Sequence, residues 1–177
     1  MLSGGVESSA LVQHAVDMDI EAECLHVIFD NKTLRESKSA RKIAEWHSLP
    51  YAEVTMNVDT FGDKYKQVKR KDSPWWGCGI LTVAPLGDYD QVWYGTHREE
   101  ISPVALGPSG VTLVLKSVGC NASLESPLHS YSKQEQYDSL NSVVKKLVIS
   151  CNIVTVDGAP CMKCEKCIEW KNFVISA

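Results

Sequence analysis

Near the amino terminus, the segment Ser3–Ser9 has residue types that favour the binding of an anion; its sequence is SGGVESS. Two adjacent glycines allow a backbone to turn tightly and to approach a ligand closely. A pattern of apolar residues at helical spacing follows at once, and a helix start offers free N–H groups and the positive end of the helix dipole. With the serine hydroxyls, these groups predict a cradle for a phosphate or pyrophosphate. The spacing is not that of a Walker P-loop, and an ordinary glycine turn before a helix is the alternative.

Four cysteines near the carboxyl end, Cys151, Cys161, Cys164 and Cys167, have the spacing of metal ligands. Cysteines separated by two residues can turn both thiolates toward one ion, and four thiolates complete a tetrahedral shell for zinc. Because four thiolates leave no open coordination position, we expect a structural zinc that braces the tail rather than a catalytic one. An iron–sulfur cluster and a disulfide pair are the alternatives.

Length and composition indicate an ordinary globular chain. Its 177 residues suggest one domain, with at most a small appendage, and a hydrophobic content of 44% supports a buried core. A formal net charge of −4 gives no general attraction to nucleic acid or to an anionic membrane. We find no apolar run near the ~18 residues of a membrane helix and no secretion signal. Because four of the seven cysteines have metal-ligand spacing, we expect a reducing cytoplasm.

Hydrophobic periodicity predicts alternating helices and strands, which is typical of an α/β fold with a parallel sheet. Helices are expected to about Met18, from a capping box at Thr33 and Glu36 to Pro50, over 110–118, and from a capping box at Ser132 and Glu135 to Leu147. Strands are expected over 24–29, 52–56 and 91–94. Only Met1 and Leu2 precede the loop, whereas a full first strand needs about five residues.

Two further places could contact a ligand. Adjacent Trp75 and Trp76 beside glycine indicate either a hydrophobic lid over the core or a platform on which a ligand stacks. Gly95 follows a predicted strand and is followed by polar residues that include His97 and Arg98. The carboxyl ends of strands are where open α/β sheets bind their ligands, so this segment is a candidate part of the site.

The order of these features resembles a known family. The amino-terminal loop resembles the S-G-G-x-D-S loop of the PP-loop ATP pyrophosphatase superfamily, with Glu7 in place of the aspartate. Together with the four-cysteine tail, it resembles 7-cyano-7-deazaguanine (preQ0) synthase. The intervening matches are Phe29 and Asp30 with the family's Phe-Asp pair, Gly95 and Glu100 with its G-x-x-x-x-D segment, and Pro127, Leu128 and Lys133 with its Pro-Leu and following Lys.

The chain also departs from this family. Its middle part is shortened, and the segments 31–34 and 74–77 replace two of the family's segments. A third segment, Y-P-D-C-R, is absent after Ser102. These differences bear on the identity of the substrate more than on the fold.

The resemblance implies a Rossmann-like fold of the adenine nucleotide alpha hydrolase type, with an open parallel sheet and helices on both faces. This ATP-binding domain would cover residues 1–150, and a zinc-binding tail over 151–177 would pack on it. ATP and magnesium would join the structural zinc as cofactors. The implied reaction converts 7-carboxy-7-deazaguanine and ammonia into 7-cyano-7-deazaguanine through a nucleotide-activated carboxylate and amide, in the queuosine biosynthesis of the cytoplasm.

The resemblance also implies roles for single residues. Catalysis falls to Glu7, which would orient magnesium, and to Arg98 and Lys133. The nucleotide would be bound by Ser3, Gly4, Gly5, Val6, Glu7, Ser8, Ser9, Phe29, Asp30 and Gly95. The resemblance assigns Glu100 to the substrate; His97, Trp75 and Trp76 are further substrate-binding candidates that their own residue types and places indicate. For His97, Arg98 and Lys133, a role at the surface or in a helix cap is an equally open interpretation.

Two other functions stay open. A PP-loop enzyme that modifies tRNA, such as a thiolase, needs a broad basic face and reactive cysteines, which the net charge of −4 and the clustering of cysteines in one tail disfavour. A catalytically degenerate nucleotide-binding partner protein would account for Glu7 and for the missing segments. We expect small-molecule partners, no membrane and no nucleic acid, and we leave a homodimer open.

Overall fold

The computed structural model describes residues 1–28, 31–55, 80, 87–99, 107–149, 151 and 160–175. Within them, helices and strands form a mixed α/β structure, as predicted. The helices are α1 (Val6–Asp17), α2 (Asn31–Trp46), α3 (Gly107–Ser117), α4 (Lys133–Asp138), α5 (Ser142–Leu147) and α6 (Glu165–Ile175), and the strands are β1 (Cys24–Ile28), β2 (Tyr51–Thr55), β3 (Gln91–Trp93) and β4 (Ser123–Glu125). Of the helices in these ranges, none is long and apolar enough to span a membrane.

The strands form two parallel pairs. β1 pairs with β2, with Cys24 opposite Tyr51, and β3 pairs with β4, with Gln91 opposite Ser123. Small parallel sheets connected by helices are consistent with a Rossmann-like fold. Among the described residues the two pairs remain separate, so the single open sheet that the sequence predicts is not confirmed.

The first two residues lie between the pairs. The N–H of Leu2 donates to the carbonyl oxygen of Leu25 at 2.8 Å, and the amino group of Met1 donates to the carbonyl oxygen of Trp93 at 2.6 Å. The side chain of Leu2 is buried. These residues therefore contact both strand pairs immediately before the glycine loop.

The first helix buries the stripe that its sequence predicts. Val6, Leu11 and Ala15 recur at helical spacing and are each less than 5% exposed. The helix ends at Asp17, close to the predicted end at Met18. The apolar stripe therefore fixes the helix, and with it the loop that leads into the helix, against the core.

The second helix begins earlier than predicted. It starts at Asn31, so Thr33 lies inside the helix, and the prediction of a capping box at Thr33 is wrong because a cap must precede the first turn. The prediction of its apolar face is confirmed. Ala40, Ile43 and Ala44 are fully buried in the main core.

The last predicted helix is two helices. Its capping box forms as predicted: the hydroxyl of Ser132 accepts from the N–H of Glu135 at 3.1 Å, and the N–H of Ser132 donates to the Glu135 carboxylate at 2.6 Å. The helix ends at Asp138, and the side chain of Asn141 accepts from the N–H of Val143 at 2.9 Å to begin α5. The prediction of one continuous helix is wrong because a short polar side chain that bonds the backbone favours a new helix start.

The main core contains residues from the amino-terminal part of the chain, over 2–44, and from the part before the cysteine tail, over 128–148. It therefore packs helix α1 against the region before the cysteine tail. The buried members of this core are Leu2, Val6, Ala10, Leu11, Val12, Cys24, Ala40, Ile43, Ala44, Leu128, Tyr137, Leu140, Val144 and Val148. A second, smaller cluster contains Ile80, Val111 and Leu115, with Val92 and Leu124 packed against it.

Gly95, just after β3, packs directly on the first turn of α1. A Cβ atom at Gly95 would lie 2.8 Å from the Cβ of Glu7 and 2.9 Å from the backbone nitrogen of Ser8. Real Cβ atoms do not approach other atoms so closely, and the backbone of a packed helix cannot move away cheaply. The close approach of these two backbones therefore requires glycine, and it brings the segment after β3 to the glycine loop.

We expect Gly95→Ala to destabilise the protein by roughly 1–3 kcal/mol, the usual cost of overpacking. Gly5→Ala is the matched control, because its Cβ would meet only the Ser3 hydroxyl at 3.4 Å and the Glu7 carboxylate at 3.6 Å. That control should cost less than about 1 kcal/mol, as an ordinary change at a helix cap. Chemical denaturation of both variants measures the difference, and equal losses would contradict the packing argument.

Candidate functional site

The backbone of the glycine loop has a conformation at Gly4 that favours glycine. Gly4 has φ of +79°, in the left-handed region, and a Cβ atom there would lie 2.9 Å from the carbonyl oxygen of Glu36 in α2. Its carbonyl oxygen accepts from the N–H of Ile149 at 2.9 Å. Gly5 is the N-cap of α1 and, having no side chain, leaves the first turn open. The first N–H groups of a helix have no partner within the helix, so they are suited to bind an anion.

The three serines of the loop occupy different positions. The hydroxyls of Ser3 and Ser8 lie 2.9 Å apart, and the N–H of Ser3 donates to Ser8 Oγ at 3.1 Å. The Ser9 hydroxyl donates to the carbonyl oxygen of Gly5 at 2.6 Å. Ser3 is exposed, whereas Ser8 and Ser9 are buried. Ser3 is therefore the loop hydroxyl that is most open to solvent, while Ser8 and Ser9 hold the loop backbone.

Lys133 lies between two carboxylates at the edge of this loop. Its Nζ atom is 3.2 Å from Glu7 Oε1 and 3.2 Å from Glu169 Oε2. The side chain of Lys133 is only 10% exposed and that of Glu7 is 20% exposed. The structure thus brings together two predicted catalytic residues, Glu7 and Lys133, which are far apart in the sequence. Glu169, in α6, was not predicted.

The pair perturbs the pKa of both partners. Burial alone would raise the pKa of the Glu7 carboxyl. The positive charges of Lys133 and Lys166 oppose this effect and outweigh it, so the pKa of Glu7 is below its usual value. Burial alone would lower the pKa of Lys133. The negative charges of Glu7 and Glu169 oppose this effect and outweigh it, so the pKa of Lys133 is above its usual value. Glu7 and Lys133 therefore carry opposite charges at neutral pH.

The directions of these pKa shifts determine how the contribution of each residue to the free energy of unfolding depends on pH. The contribution of Glu7 to the free energy of unfolding is present above the ordinary carboxyl pKa and is lost as pH falls through the lowered pKa of the folded state. The contribution of Lys133 is present below the ordinary amine pKa and is lost as pH rises through its raised pKa. The pair therefore stabilises the fold throughout the neutral range.

The segment after β3 adds a histidine to the cluster of charged side chains that Glu7, Lys133 and Glu169 form. Nδ1 of His97 lies 3.0 Å from Glu99 Oε2, and its Nε2 lies 3.9 Å from Glu7 Oε1. The Glu99 carboxylate also accepts from the N–H of Lys133 at 3.2 Å. His97 thus borders Glu7, in a position where it could contact a ligand of the loop. Glu99 was not predicted; its place directly after the candidate His97 and Arg98 is the signal that could have indicated it.

Arg98 lies at the exposed edge of this cluster. Its side chain is 60% exposed, and its guanidinium lies 3.6 Å from a carboxylate oxygen of Glu135 and 3.8 Å from one of Glu99. Ion pairs at such exposed positions contribute little to stability. The structure therefore places this predicted catalytic residue in a surface ion-pair network next to the site.

A buried glutamine holds the walls of the site together. Gln136 is 1% exposed, and its side-chain amide donates to the carbonyl oxygens of Thr96 at 2.8 Å and Leu128 at 2.9 Å. The N–H of Arg98 donates to the carbonyl oxygen of Tyr131 at 2.9 Å. These bonds connect the segment after β3 to the turn before α4, and they fix the position of Lys133. Nothing in the spacing of the sequence marks Gln136 for this role.

The four cysteines converge as their spacing predicts. The Sγ atoms of Cys151, Cys161, Cys164 and Cys167 all lie within 4.8 Å of one another, and those of Cys161 and Cys167 are 3.9 Å apart. Zinc–sulfur bonds of about 2.3 Å in a tetrahedron place sulfur atoms about 3.8 Å apart. The N–H groups of Cys161 and Cys164 also donate to cluster sulfurs at 3.3 Å. The cluster can therefore hold a metal such as zinc.

A bound cation would change the protonation of these thiols. Burial, followed by the neighbouring thiol of Cys164, raises the pKa of the Cys167 thiol to about 12. Thiolates are the form that binds metal, so metal binding must displace protons from this buried group. A doubly positive ion at the centre of the four sulfurs supplies the charge that makes thiolates favourable there.

Helix α6 connects the cysteine cluster to the loop. It carries Cys167 and, two and three residues further on, Glu169 and Trp170. The Trp170 ring packs edge-on against Tyr137 of α4 with centroids 5.2 Å apart, while Glu169 contacts Lys133. Among the described residues, a ring pair and an ion pair therefore connect the cysteine tail to the site.

Several sequence predictions fall on residues that cannot be compared with the structure. Phe29, Asp30, Trp75, Trp76 and Glu100 lie outside the described residues. Their assignments to nucleotide or substrate remain predictions from the sequence.

We expect zinc to co-purify with the protein at about one ion per chain, and Cys164→Ser to release it and lower the melting temperature, because structural zinc binding is linked to folding. Cys120→Ser is the control, since that free cysteine is not part of the cluster. Elemental analysis and thermal denaturation measure both effects. Metal-free protein whose melting temperature equals that of the metal-loaded form would contradict the structural role.

We expect Lys133→Met to raise the pKa of Glu7, because burial persists while the nearest positive charge is removed. A carboxyl-detected NMR titration with Glu7 assigned measures this pKa directly. Lys116→Met, an exposed change on α3, is the control and should leave the titration unchanged. An unchanged Glu7 pKa in Lys133→Met would show that the ion pair does not form in solution.

Comparison with known families gives one match. The asparagine synthase family model matches residues 1–77, which is less than half of the 177-residue chain. This is a family of the PP-loop, adenine nucleotide alpha hydrolase-like type, whose members are ATP-dependent carbon–nitrogen ligases. Among curated proteins, none matches the chain. The matched region contains the glycine loop, α1, β1, α2 and β2, so the similarity supports ATP-dependent ligation chemistry of the PP-loop type.

Proposed function

We propose that this protein uses ATP to activate the carboxylate of 7-carboxy-7-deazaguanine and combines it with ammonia, giving first the amide and then the nitrile 7-cyano-7-deazaguanine. The observation that carries the proposal is the glycine loop at the start of α1, which lies in the region that matches the asparagine synthase family and has the ionised Glu7 and Lys133 at its edge. The choice of substrate rests on the resemblance in the order of the loop, the Pro-Leu segment and the four cysteines.

The reaction needs activation because a carboxylate has a poor leaving group. Transfer of a nucleotidyl group from ATP to a carboxylate oxygen forms a mixed anhydride and releases pyrophosphate. Attack by ammonia on the carbonyl carbon then breaks the bond to the nucleotide and gives the amide. A second ATP then transfers a nucleotidyl group to the amide oxygen, which releases pyrophosphate and one proton from nitrogen. The nucleotide leaves with that oxygen while nitrogen loses its second proton, which gives the nitrile. The protein's part is to position these groups and to neutralise charge.

The loop residues suit the polyphosphate of ATP. The N–H groups at the start of α1 and the exposed hydroxyl of Ser3 would bind phosphate oxygens, and Gly4 and Gly5 let the backbone come close. Gly95 lies against the first turn of α1, and because it has no side chain, it adds no side-chain atoms there.

Glu7 and Lys133 suit the charges of the reaction. Magnesium binds through one or two carboxylates together with phosphate oxygens, and the lowered pKa of Glu7 keeps a carboxylate available at neutral pH. Lys133, held at the loop by Glu169, would neutralise a phosphate or the substrate carboxylate. His97 borders Glu7 and would contact the same ligand. The metal of the cysteine cluster would have a structural role, because four thiolates complete its shell.

A catalytically degenerate nucleotide-binding protein is the second candidate. It is favoured by Glu7 itself, which stands where the resembling family has aspartate and which is engaged by Lys133 at 3.2 Å. One of its carboxylate oxygens, Oε1, is engaged in this ion pair and is therefore less available to magnesium.

Turnover distinguishes the two candidates. With ATP, magnesium, ammonia and 7-carboxy-7-deazaguanine, we expect nitrile together with pyrophosphate, and we expect Glu7→Ala to reduce the rate by at least 100-fold and Glu7→Asp by less. Glu45→Ala, an exposed change at the end of α2, is the control and should keep full activity. Mass spectrometry follows the deazapurine products.

Nucleotide binding is measured on the same proteins. We expect Gly5→Val to lose ATP binding, because its side chain would project at the start of α1, while the fold is kept. ATP binding without any product from the carboxylate or from the amide would overturn the ligase proposal and favour the degenerate binder. Full ATP binding by Gly5→Val would show that the loop is not the nucleotide site.

A further inference from the structure

Lys133 shares its ammonium between two carboxylates that belong to different parts of the chain. Its Nζ atom lies 3.2 Å from Glu7 Oε1, at the start of α1, and 3.2 Å from Glu169 Oε2, in α6. The two contacts are equally long, so neither carboxylate holds the ammonium alone. Because a buried charge must stay paired, the ammonium can leave one of these partners only if another anion takes its place.

Glu169 is fixed to the helix that carries Lys133 by a contact that does not involve the glycine loop. Lys133 is the first residue of α4, and Tyr137 of the same helix packs edge-on against Trp170, the residue after Glu169, with ring centroids 5.2 Å apart. Tyr137 is buried in the main core. Glu169 therefore stays beside Lys133 when the contacts of the loop change.

The backbone of Lys133 is also fixed, so a movement of the ammonium must come from the side chain. The N–H of Lys133 donates to Glu99 Oε2 at 3.2 Å, and the capping box of Ser132 and Glu135 fixes the start of the helix. The side chain carries a compact ammonium on a flexible stem of four carbons. Rotation about the bonds of this stem can therefore move the ammonium while the helix stays in place.

Glu7 is the partner with which a bound phosphate would compete. It lies in the first turn of α1, beside the N–H groups that are suited to bind an anion. A phosphate at the start of α1 would repel the Glu7 carboxylate and attract the Lys133 ammonium. The two effects together favour transfer of the ammonium from the carboxylate to the phosphate.

The charge of Lys133 persists during such a transfer. Burial alone would lower the pKa of its ammonium, but the negative charges of Glu7 and Glu169 outweigh burial and raise the pKa above its usual value. After the transfer, Glu169 and the phosphate would supply negative charge in the same way. The Glu7 carboxylate would then lie beside phosphate oxygens without the Lys133 ion pair. Magnesium prefers such a combination of a carboxylate and phosphate oxygens.

We propose that Glu169 is a positioning residue, which holds the Lys133 ammonium at the loop while this ammonium passes from Glu7 to a phosphate of a bound nucleotide. The Glu7 carboxylate is thereby released to bind magnesium. Lys133 keeps two anionic partners throughout, Glu169 together with either Glu7 or the phosphate. Because magnesium compensates Glu7 and the phosphate compensates Lys133, each ligand favours the binding of the other. The proposal rests on the proposed function in one respect, that a nucleotide binds at the glycine loop.

The first test measures the affinity for ATP in the absence of magnesium, by titration calorimetry. We expect Glu169→Gln to weaken ATP binding roughly fivefold or more, because the ammonium then keeps Glu7 as its remaining carboxylate partner and stays there. Loss of a negative charge by itself would strengthen the binding of an anion, so this result separates positioning from a simple charge effect. Glu165→Gln, an exposed change on the same helix, is the matched control and should stay within about twofold of the parent.

The second test removes the ammonium. In Lys133→Met, the further change Glu169→Gln should not weaken ATP binding, because Glu169 acts through Lys133. Lys133→Met should also bind magnesium at Glu7 without nucleotide, whereas the parent at the same magnesium concentration should not. A shift of the Glu7 carboxyl carbon signal in NMR on addition of magnesium chloride detects this binding. If Lys133→Met does not fold, the comparison of Glu169→Gln with Glu165→Gln decides the proposal.

Three outcomes would overturn the proposal. One is equal ATP affinity of the parent and Glu169→Gln, and another is an equal loss from Glu169→Gln in the Lys133→Met background. The third is magnesium binding at Glu7 in the parent that is as tight as in Lys133→Met. Because no measurement needs the deazapurine substrate, the expected binding pattern without any ligation product would contradict the proposed function alone. A parent protein that does not bind ATP would contradict both.

Discussion

The buried ammonium of Lys133 is the interaction on which the arrangement of the site depends. It contacts Glu7 at the start of α1 and Glu169 in the cysteine tail, both at 3.2 Å. A buried cation is costly unless it is paired, so this lysine requires both carboxylates to be in place. One side chain thus couples the position of the loop to the position of the tail. The cysteine cluster, by fixing the start of α6, has a direct effect on the geometry of the loop.

The glycines and the glutamine around this pair determine how closely the parts approach. Gly95 allows the segment after β3 to touch the first turn of α1, and Gly4 allows the loop to lie against α2. Gln136 then joins that segment to the turn before α4. Side chains from four separate parts of the sequence therefore meet because small residues permit contact between backbones and one buried amide secures it.

Local chemistry explains what could be predicted from the sequence. The glycine loop, the stripe of α1, the capping box at Ser132 and the convergence of the cysteines each depend on residues a few positions apart, and the structure has all of them. Glu169 could not be predicted, because its partner Lys133 is 36 residues away and neither spacing nor composition connects them. The early start of α2 and the break before α5 were missed since several polar residues there could each act as a cap.

The hydrogen bonds of the loop serines affect how much the loop must become ordered when a ligand binds. Ser9 holds the carbonyl oxygen of Gly5, and Ser3 and Ser8 hold each other, so the loop is preorganised before anything binds. A preorganised loop loses little conformational entropy on association, and more of the contact energy appears as affinity. The same bonds leave the hydroxyls partly committed to the loop. An anion bound at this loop would therefore be recognised mainly by the N–H groups of the helix start, which distinguish ligands by charge and shape rather than by the identity of the attached group.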